Sequence, residues 1–327
     1  MNFSSLKYLM ALLVLIAASC GSDGVDSAGD DVGEASEVEV DDTDDEAMED
    51  EEAMEDDVEA AVGIALEFDG LEPLGADSVY EGWLIIDGAP SSTGRFNVDE
   101  SGVAVADGEQ AAPVADAASA SAVVITIEPA DDPDPGPAET HVLAGDVSDG
   151  SADLTVGHPA ALGTDFVEAD SVYVLATPTT DDTSDELSGV WFIGLDGGAT
   201  QGLQLAALPS GWIYEGWVVV DGTPVSTGRF ADPAAADAAA TFSGPDGTGP
   251  NFPGEDLIVN PPDGLTFPLD LRGATVVVSV EPEPDDGPAP FAIKPLSHIV
   301  PDGIGDHEIQ TFEAGPASPT GVALIEG

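Results

Sequence analysis

Residues 80–96 read YEGWLIIDGAPSSTGRF, and residues 214–230 read YEGWVVVDGTPVSTGRF. Twelve of the 17 positions are identical at an offset of 134, and three of the five differences exchange Leu or Ile for Val. Each copy has the pattern of a β-hairpin. An apolar run reaches Asp87-Gly88 in the first and Asp221-Gly222 in the second. Both residue types tolerate positive φ, which a tight antiparallel reversal requires. Pro90 and Pro224 follow, so that flank lacks a backbone donor and belongs to the loop or to a strand edge. Side chains alternate along a strand. Glu81, Trp83 and Ile85 therefore share one face, and Tyr80, Leu84 and Ile86 the other, with Gly82 between them. Both faces are largely apolar, which predicts a strand covered on both sides. Trp83 and Trp217 are then core anchors, each needing a partner for its indole N–H. The competing reading is an aromatic platform for a ligand such as a sugar.

Arg95-Phe96 and Arg229-Phe230 close the two copies. The hairpin register decides what each arginine meets. A two-residue turn sets Arg95 opposite Tyr80, for stacking on an aromatic face. A three-residue loop sets it opposite Glu81, for a charge-assisted pair. Tyr214 and Glu215 offer the same choice to Arg229. Either contact is structural; the functional alternative is an anionic-ligand site. In so acidic a chain a cation is expected to be taken by its own carboxylates.

Working outward, VVITIEP (123–129) is echoed by VVVSVEP (276–282), and THVL (140–143) more weakly by SHIV (297–300), in the same order. Phe96 and Glu128 are 32 residues apart, whereas Phe230 and Glu281 are 51 apart, so the second half carries an insertion around the Gly/Pro-rich residues 244–264. Other short β-branched runs lie between Gly, Pro and Asp clusters, and no segment sustains a helical apolar period, although AADAAAT (235–241) suits a short helical turn. The fold class is therefore all-β: two tandem, related, β-sandwich-like lobes. The first is placed at 61–180 and the second at 187–327, separated by the polar TPTTDDTSDE (177–186), a surface loop by composition.

The chain has 327 residues, 65 acidic against five basic, for a net charge of −60. Such a balance excludes nucleic acid as a partner, because phosphates are neutralised by Lys and Arg. Self-repulsion of this size destabilises the compact state, and salt screens it. The melting temperature is expected to rise from low to molar salt; a thermal melt series checks this. Residues 21–60 hold 20 Asp or Glu and no Lys or Arg. They cannot bury enough apolar surface to offset ordering, and are read as a disordered, extended spacer. The alternative is an acidic tail that binds calcium weakly.

The N-terminal residues carry one base, Lys7, and then an apolar run from Leu9 to Ala18 ending in Ser19-Cys20. The run is far short of the roughly 20 residues of a membrane-spanning helix. It reads as an export signal over 1–19. Ala17-Ala18-Ser19-Cys20 resembles a bacterial lipobox, in which the cysteine is lipidated and becomes the mature terminus. Cys20 is the only cysteine of the chain, so no disulfide is available. The expected localisation is the cell envelope, outside the cytoplasm, with residues 20–60 a lipid-anchored linker; which membrane is left open.

No HExxH, GxSxG, phosphate-binding glycine loop or nucleotide fingerprint is present. The four histidines, His141, His158, His298 and His307, have no metal-ligand spacing, and the acidic loops at 131–136 and 146–150 lack EF-hand spacing. The chain is accordingly read as a non-enzyme, with no catalytic residue, no metal and no cofactor.

At the repeat the sequence resembles the C-terminal domain of anti-sigma-K factors. The resemblance rests on the Tyr-x-x-Trp strand, the Gly-containing turn, the small-residue stretch ending in Gly-Arg-Phe, and the strand ending in Glu-Pro. It implies a β-rich extracytoplasmic sensory or regulatory module, present here as two copies. In that family the sigma-binding part is a cytoplasmic domain ahead of a transmembrane helix. Only 19 residues precede Cys20, so direct sigma-factor contact is not expected. Three readings follow: a lipid-anchored binding or sensory module with an envelope protein or small ligand as partner, a structural acidic surface lipoprotein, and an envelope hydrolase with an unrecognised site.

Overall fold

A computed structural model of the chain describes residues 64–99, 102–106, 114–166, 170–238, 240–245, 249–284 and 287–325. Cys20, the expected signal segment 1–19 and the expected acidic linker 20–60 lie outside the described residues. What is described is nearly all β, and its helix is confined to one 3-10 turn, Ala117–Ser119. The described residues of AADAAAT form bends and irregular backbone instead of a helical turn.

The first part of the chain forms β1 (Ile64–Asp69), β2 (Ser78–Ile86), β3 (Ala89–Val98), β4 (Ala104–Ala106), β5 (Ala122–Pro129), β6 (His141–Asp146) and β7 (Ser151–Thr155). Then come β8 (Val172–Leu175), β9 (Gly189–Trp191), β10 (Ile193–Gly194), β11 (Thr200–Gln201), β12 (Trp212–Val220) and β13 (Thr223–Phe230). The chain ends with β14 (Gly254–Asp256), β15 (Thr275–Pro282), β16 (Leu296–Ile299), β17 (Gln310–Thr311), β18 (Glu313–Ala314) and β19 (Thr320–Ile325).

Eight strands make one antiparallel sheet in the order β1-β19-β7-β6-β5-β2-β3-β4. It curls until its edges meet: Phe68 of β1 stacks on Phe96 of β3 with ring centroids 5.3 Å apart. Leu66 reaches Gly82 of β2 from the same side. Two larger sheets, β13-β12-β15-β16-β18 and β14-β9-β8-β17, and the two-stranded β10-β11 belong to the second half. Side chains bridge them. Phe192 contacts both Phe230 and Phe312, and the Tyr173 hydroxyl meets His298 Nδ1 at 2.8 Å. One apolar cluster takes in Tyr80, Ile125 and Leu154 together with Phe192, Tyr214 and Val278.

The expected lobe limits do not coincide with strand pairing. β8 falls within 61–180, yet it pairs with β9 and β17 of the second half. β19 falls within 187–327, yet it lies between β1 and β7 of the first sheet. The reason is steric as well as topological: a Cβ at Gly321 would come within 2.7 Å of the Phe68 ring, so this strand's lack of a side chain there admits the aromatic of β1. The 177–186 segment is not wholly a surface loop either. Thr177 and Thr179 are each 1% exposed, and the Thr179 N–H and hydroxyl both donate to Asp256.

Candidate functional site

The repeated hairpin is the same object twice. Asp87-Gly88 and Asp221-Gly222 all have positive φ, between 50° and 83°, as a two-residue reversal with right-handed strand twist requires. Ile86 pairs with Ala89, so the turn has two residues. That turn by itself sets Arg95 opposite Tyr80. The structure sets it opposite Glu81, because the register slips by one between Gly82 and Trp83. Trp83 faces Ser92 and Gly82 faces Gly94, leaving Thr93 as the extra residue of a β-bulge. The second copy slips at the same place, and Arg229 faces Glu215. The bulge explains two glycines. Gly94 and Gly228 have φ of 108° and 115°, and a Cβ at Gly82 or Gly216 would lie 2.3 or 2.4 Å from the hydroxyl of Thr93 or Thr227.

The aromatic members take matching roles. Tyr80 and Tyr214 are fully buried and donate to the carbonyls of Glu72 and Ala206, eight residues upstream, at 2.9 and 2.8 Å. Burial raises the Tyr214 hydroxyl well above its ordinary range. Each tyrosine stacks on the phenylalanine that closes its motif, Tyr80 on Phe96 at 5.6 Å and Tyr214 on Phe230 at 5.8 Å. Both faces of β2 are covered, with Tyr80 and Leu84 in the main core and Trp83 in a second cluster with Val124, Ala144 and Ala161.

The indoles find their partners on the neighbouring strand. Trp83 Nε1 donates to Thr126 Oγ1 at 2.9 Å, and Trp217 Nε1 to Ser279 Oγ at 2.8 Å. Those hydroxyls donate in turn to Glu128 and Glu281. The same carboxylate oxygens accept the backbone N–H of Ala138 at 2.8 Å and of Phe291 at 2.9 Å. Glu128 and Glu281 are each 1% exposed. Desolvation pushes the Glu128 carboxyl above its ordinary range, against the opposing pull of the Thr126 hydrogen bond. The signal for this relay was in the sequence. A hydroxyl residue and a glutamate two positions later, on one strand face, recur in both VVITIEP and VVVSVEP.

The two arginines diverge. Arg95 Nε donates to Glu81 at 3.0 Å, Nη1 to the Ala130 carbonyl at 3.2 Å, and Nη2 lies 3.6 Å from Asp132. Glu81 also accepts the Ser92 hydroxyl, as Glu215 accepts that of Ser226. Arg229 is exposed. Arg95→Met is therefore expected to cost about 1–2 kcal/mol, because it leaves the buried Glu81 without its cation. Arg229→Met is expected to stay within about 0.5 kcal/mol of the parent. Paired denaturant titrations of the two variants check the asymmetry; equal losses would contradict it.

A second pair of buried acids, which the motif reading missed, sits on β14. Glu255 and Asp256 are each 0% exposed. Asp256 accepts Trp191 Nε1 at 2.7 Å as well as both Thr179 donors, and Glu255 accepts the Ser243 hydroxyl. Burial pushes Glu255 up to about 7, with Asp237 and Asp256 adding repulsion and the Ser243 hydrogen bond opposing. A carboxyl raised in the folded state binds its proton more tightly there than in the unfolded chain. The stability it contributes is complete below the ordinary value of 4.5 and is lost as pH rises to about 7. Glu255→Gln is thus expected to raise stability by about 1–2 kcal/mol at pH 8, and to change it little at pH 4. Urea melts of both proteins at the two pH values decide it; a benefit at pH 4 alone would have the wrong sign.

Two clefts open between the halves. One, of about 600 Å³, is walled by Val156, Phe166, Pro295, Pro316 and Pro319, with Lys294 at its side; Lys294 pairs with Glu72 across the halves at 3.1 Å. The other, of about 490 Å³, lies between residues 77–78, 127–129 and 138–140 of the first half and Gly211 and 282–284 of the second. Gly211 has φ +84°, and a Cβ there would lie 2.9 Å from the Glu139 carbonyl carbon, so the halves meet backbone to backbone. The histidines make local contacts: His141 with the Ala160 carbonyl, His158 with Asp146, and His307 with Asp306. Among the described residues no three His, Cys, Asp or Glu side chains are grouped to hold a metal ion, and no helix is long and apolar enough to cross a membrane.

Comparison with known proteins adds one match. The family described as anti-sigma-K factor rskA, C-terminal, matches residues 10–142. The matched stretch is about two fifths of the chain. It runs from inside the N-terminal apolar segment, through the first hairpin and β5, into β6. This part of the chain is similar to an anti-sigma-factor regulatory domain. No curated protein and no solved structure matches the chain.

Proposed function

We propose that this protein is a lipid-anchored extracytoplasmic binding or sensory module, non-enzymatic, anchored through Cys20 and held off the membrane by the acidic residues 21–60. The observation that carries the reading is the match of residues 10–142 to the anti-sigma-K factor C-terminal family. The lipobox-like residues 17–20 support the anchor. The structural use of Glu81, Trp83 and Arg95 leaves the repeated motif as scaffold and moves attention to the clefts between the halves. The proposal gives the chain no sigma-factor contact of its own; its partner is an envelope protein or a small ligand. Crosslinking on intact cells, followed by purification in mild detergent, is expected to recover a partner in stoichiometric amount. Recovery of none, with no ligand raising the melting temperature across a thermal-shift panel, would favour a structural role for the charge of −60.

A further inference from the structure

The smaller cleft is lined by a buried carboxylate, one of whose oxygens accepts no hydrogen bond. Glu128 forms part of its wall. One oxygen, Oε1, accepts both Thr126 and Ala138, whereas Oε2 is buried with no hydrogen-bond partner. A carboxylate oxygen left so in the fold lacks the compensation that buried polar groups ordinarily find. The nearby cation does not supply it, because Arg95 is engaged by Glu81, Asp132 and the Ala130 carbonyl.

The rest of the cleft fits a particular kind of occupant. Asp77, Glu139 and Glu283 stand on its rim, all exposed. Apolar surface lines it beside these acids, from Ile127 and Pro129 of one half and Pro282 and Pro284 of the other, of which Ile127 and Pro282 are buried and Pro129 and Pro284 exposed. A cavity with an apolar wall and few polar groups sets orientation through those groups. Acid at both depths selects a positive charge. The proline wall selects an aliphatic stem, as long basic side chains bury their methylenes and keep the charged head on a polar partner. A bare metal ion suits it less, since Glu128 is the one buried carboxylate of this wall and the described residues hold no three-ligand group.

We infer that this cleft receives an alkylammonium or guanidinium head on an aliphatic stem, with its charge against Glu128 and its stem along the prolines. The inference names a ligand class for the binding module proposed above and rests on that reading for its biological meaning. The shared chemistry arises from two sources, a free amine or a Lys or Arg side chain of a partner protein.

Calorimetric titration of the full chain in 0.5 M NaCl tests it, using n-pentylamine and the peptide Ala-Lys-Ala as probes and 1-pentanol as the neutral control. Saturable one-site binding of at least one cationic probe, and none of pentanol, is expected. Tighter binding of the amine points to a small ligand; tighter binding of the peptide points to a partner's side chain. Glu128→Gln keeps the acceptor for Thr126 and Ala138 and removes the charge, and should weaken binding at least tenfold. Glu283→Gln, on the exposed rim, keeps the test open if the buried variant fails to fold; it should weaken binding two- to fivefold. Binding that is non-saturable, or equal in parent and both variants, would overturn the inference. That failure leaves the crosslinking result untouched, so the two proposals fall separately.

Discussion

Ending the chain at Pro319 is expected to unfold the first sheet. β19 is the last strand in sequence but an inner strand in space, paired with β1 over 64–69 and with β7 over 151–155. Its removal opens two ladders at once and strips β1 of its strand partner in the sheet order. Ala323 is fully buried, and Gly321 lies beneath the Phe68 ring that stacks on Phe96. Each ladder hydrogen bond contributes about 1 kcal/mol net, and orphaned backbone groups cost more. The summed loss is about 5 kcal/mol or more, comparable to the whole stability of a typical domain. Hydrogen exchange on the truncated chain should show protection lost across β1 and β7. A truncated chain that keeps the parent's cooperative transition and its β1 protection would refute the observed strand order.

Trp83→Ala is expected to cost about 3–5 kcal/mol, the range for deleting a buried aromatic side chain. Trp83 is 3% exposed and organises its own cluster with Val124, Ala144 and Ala161 outside the main core. Its loss leaves a cavity there and takes the indole donor from Thr126, which itself donates to the buried Glu128. Trp83→Phe retains most of the ring and removes the N–H, so it should cost about 1–2 kcal/mol. The same ordering is expected at Trp217, whose partner is Ser279. Denaturant midpoints for the four variants check it. A phenylalanine variant as damaged as the alanine one would shift the weight from packing to the hydrogen bond.

The hairpins were legible because their information is local. Apolar β-branched runs, Asp-Gly turns and alternation specify a strand, its reversal and its faces within about 17 residues, and the need of Trp83 for an indole partner follows from burial alone. The register was not legible from the turn, because the slip that brings Arg95 to Glu81 occurs further along the strand, between Gly82 and Trp83. Its trace in the sequence is the glycine pair, Gly82 and Gly94, which faces itself across the bulge. The lobe limits failed for a different reason. Composition marks 177–186 as polar, but strand exchange is a long-range choice. Nothing local in TGVALI (320–325) says that it returns to β1. Glu255 and Asp256 escaped notice because GED in a Gly/Pro-rich insertion has the composition of a surface loop, while the Thr179 and Trp191 donors that bury Asp256 lie 77 and 65 residues away.

We propose above that this protein works outside the cytoplasm on an acyl anchor. Mass spectrometry of the mature protein from the membrane fraction tests it most directly. An N-terminal fragment beginning at Cys20, with its sulfur carrying a diacylglyceryl group, is expected. A mature chain retaining residues 1–19, or one starting at Cys20 with a free thiol, would contradict it.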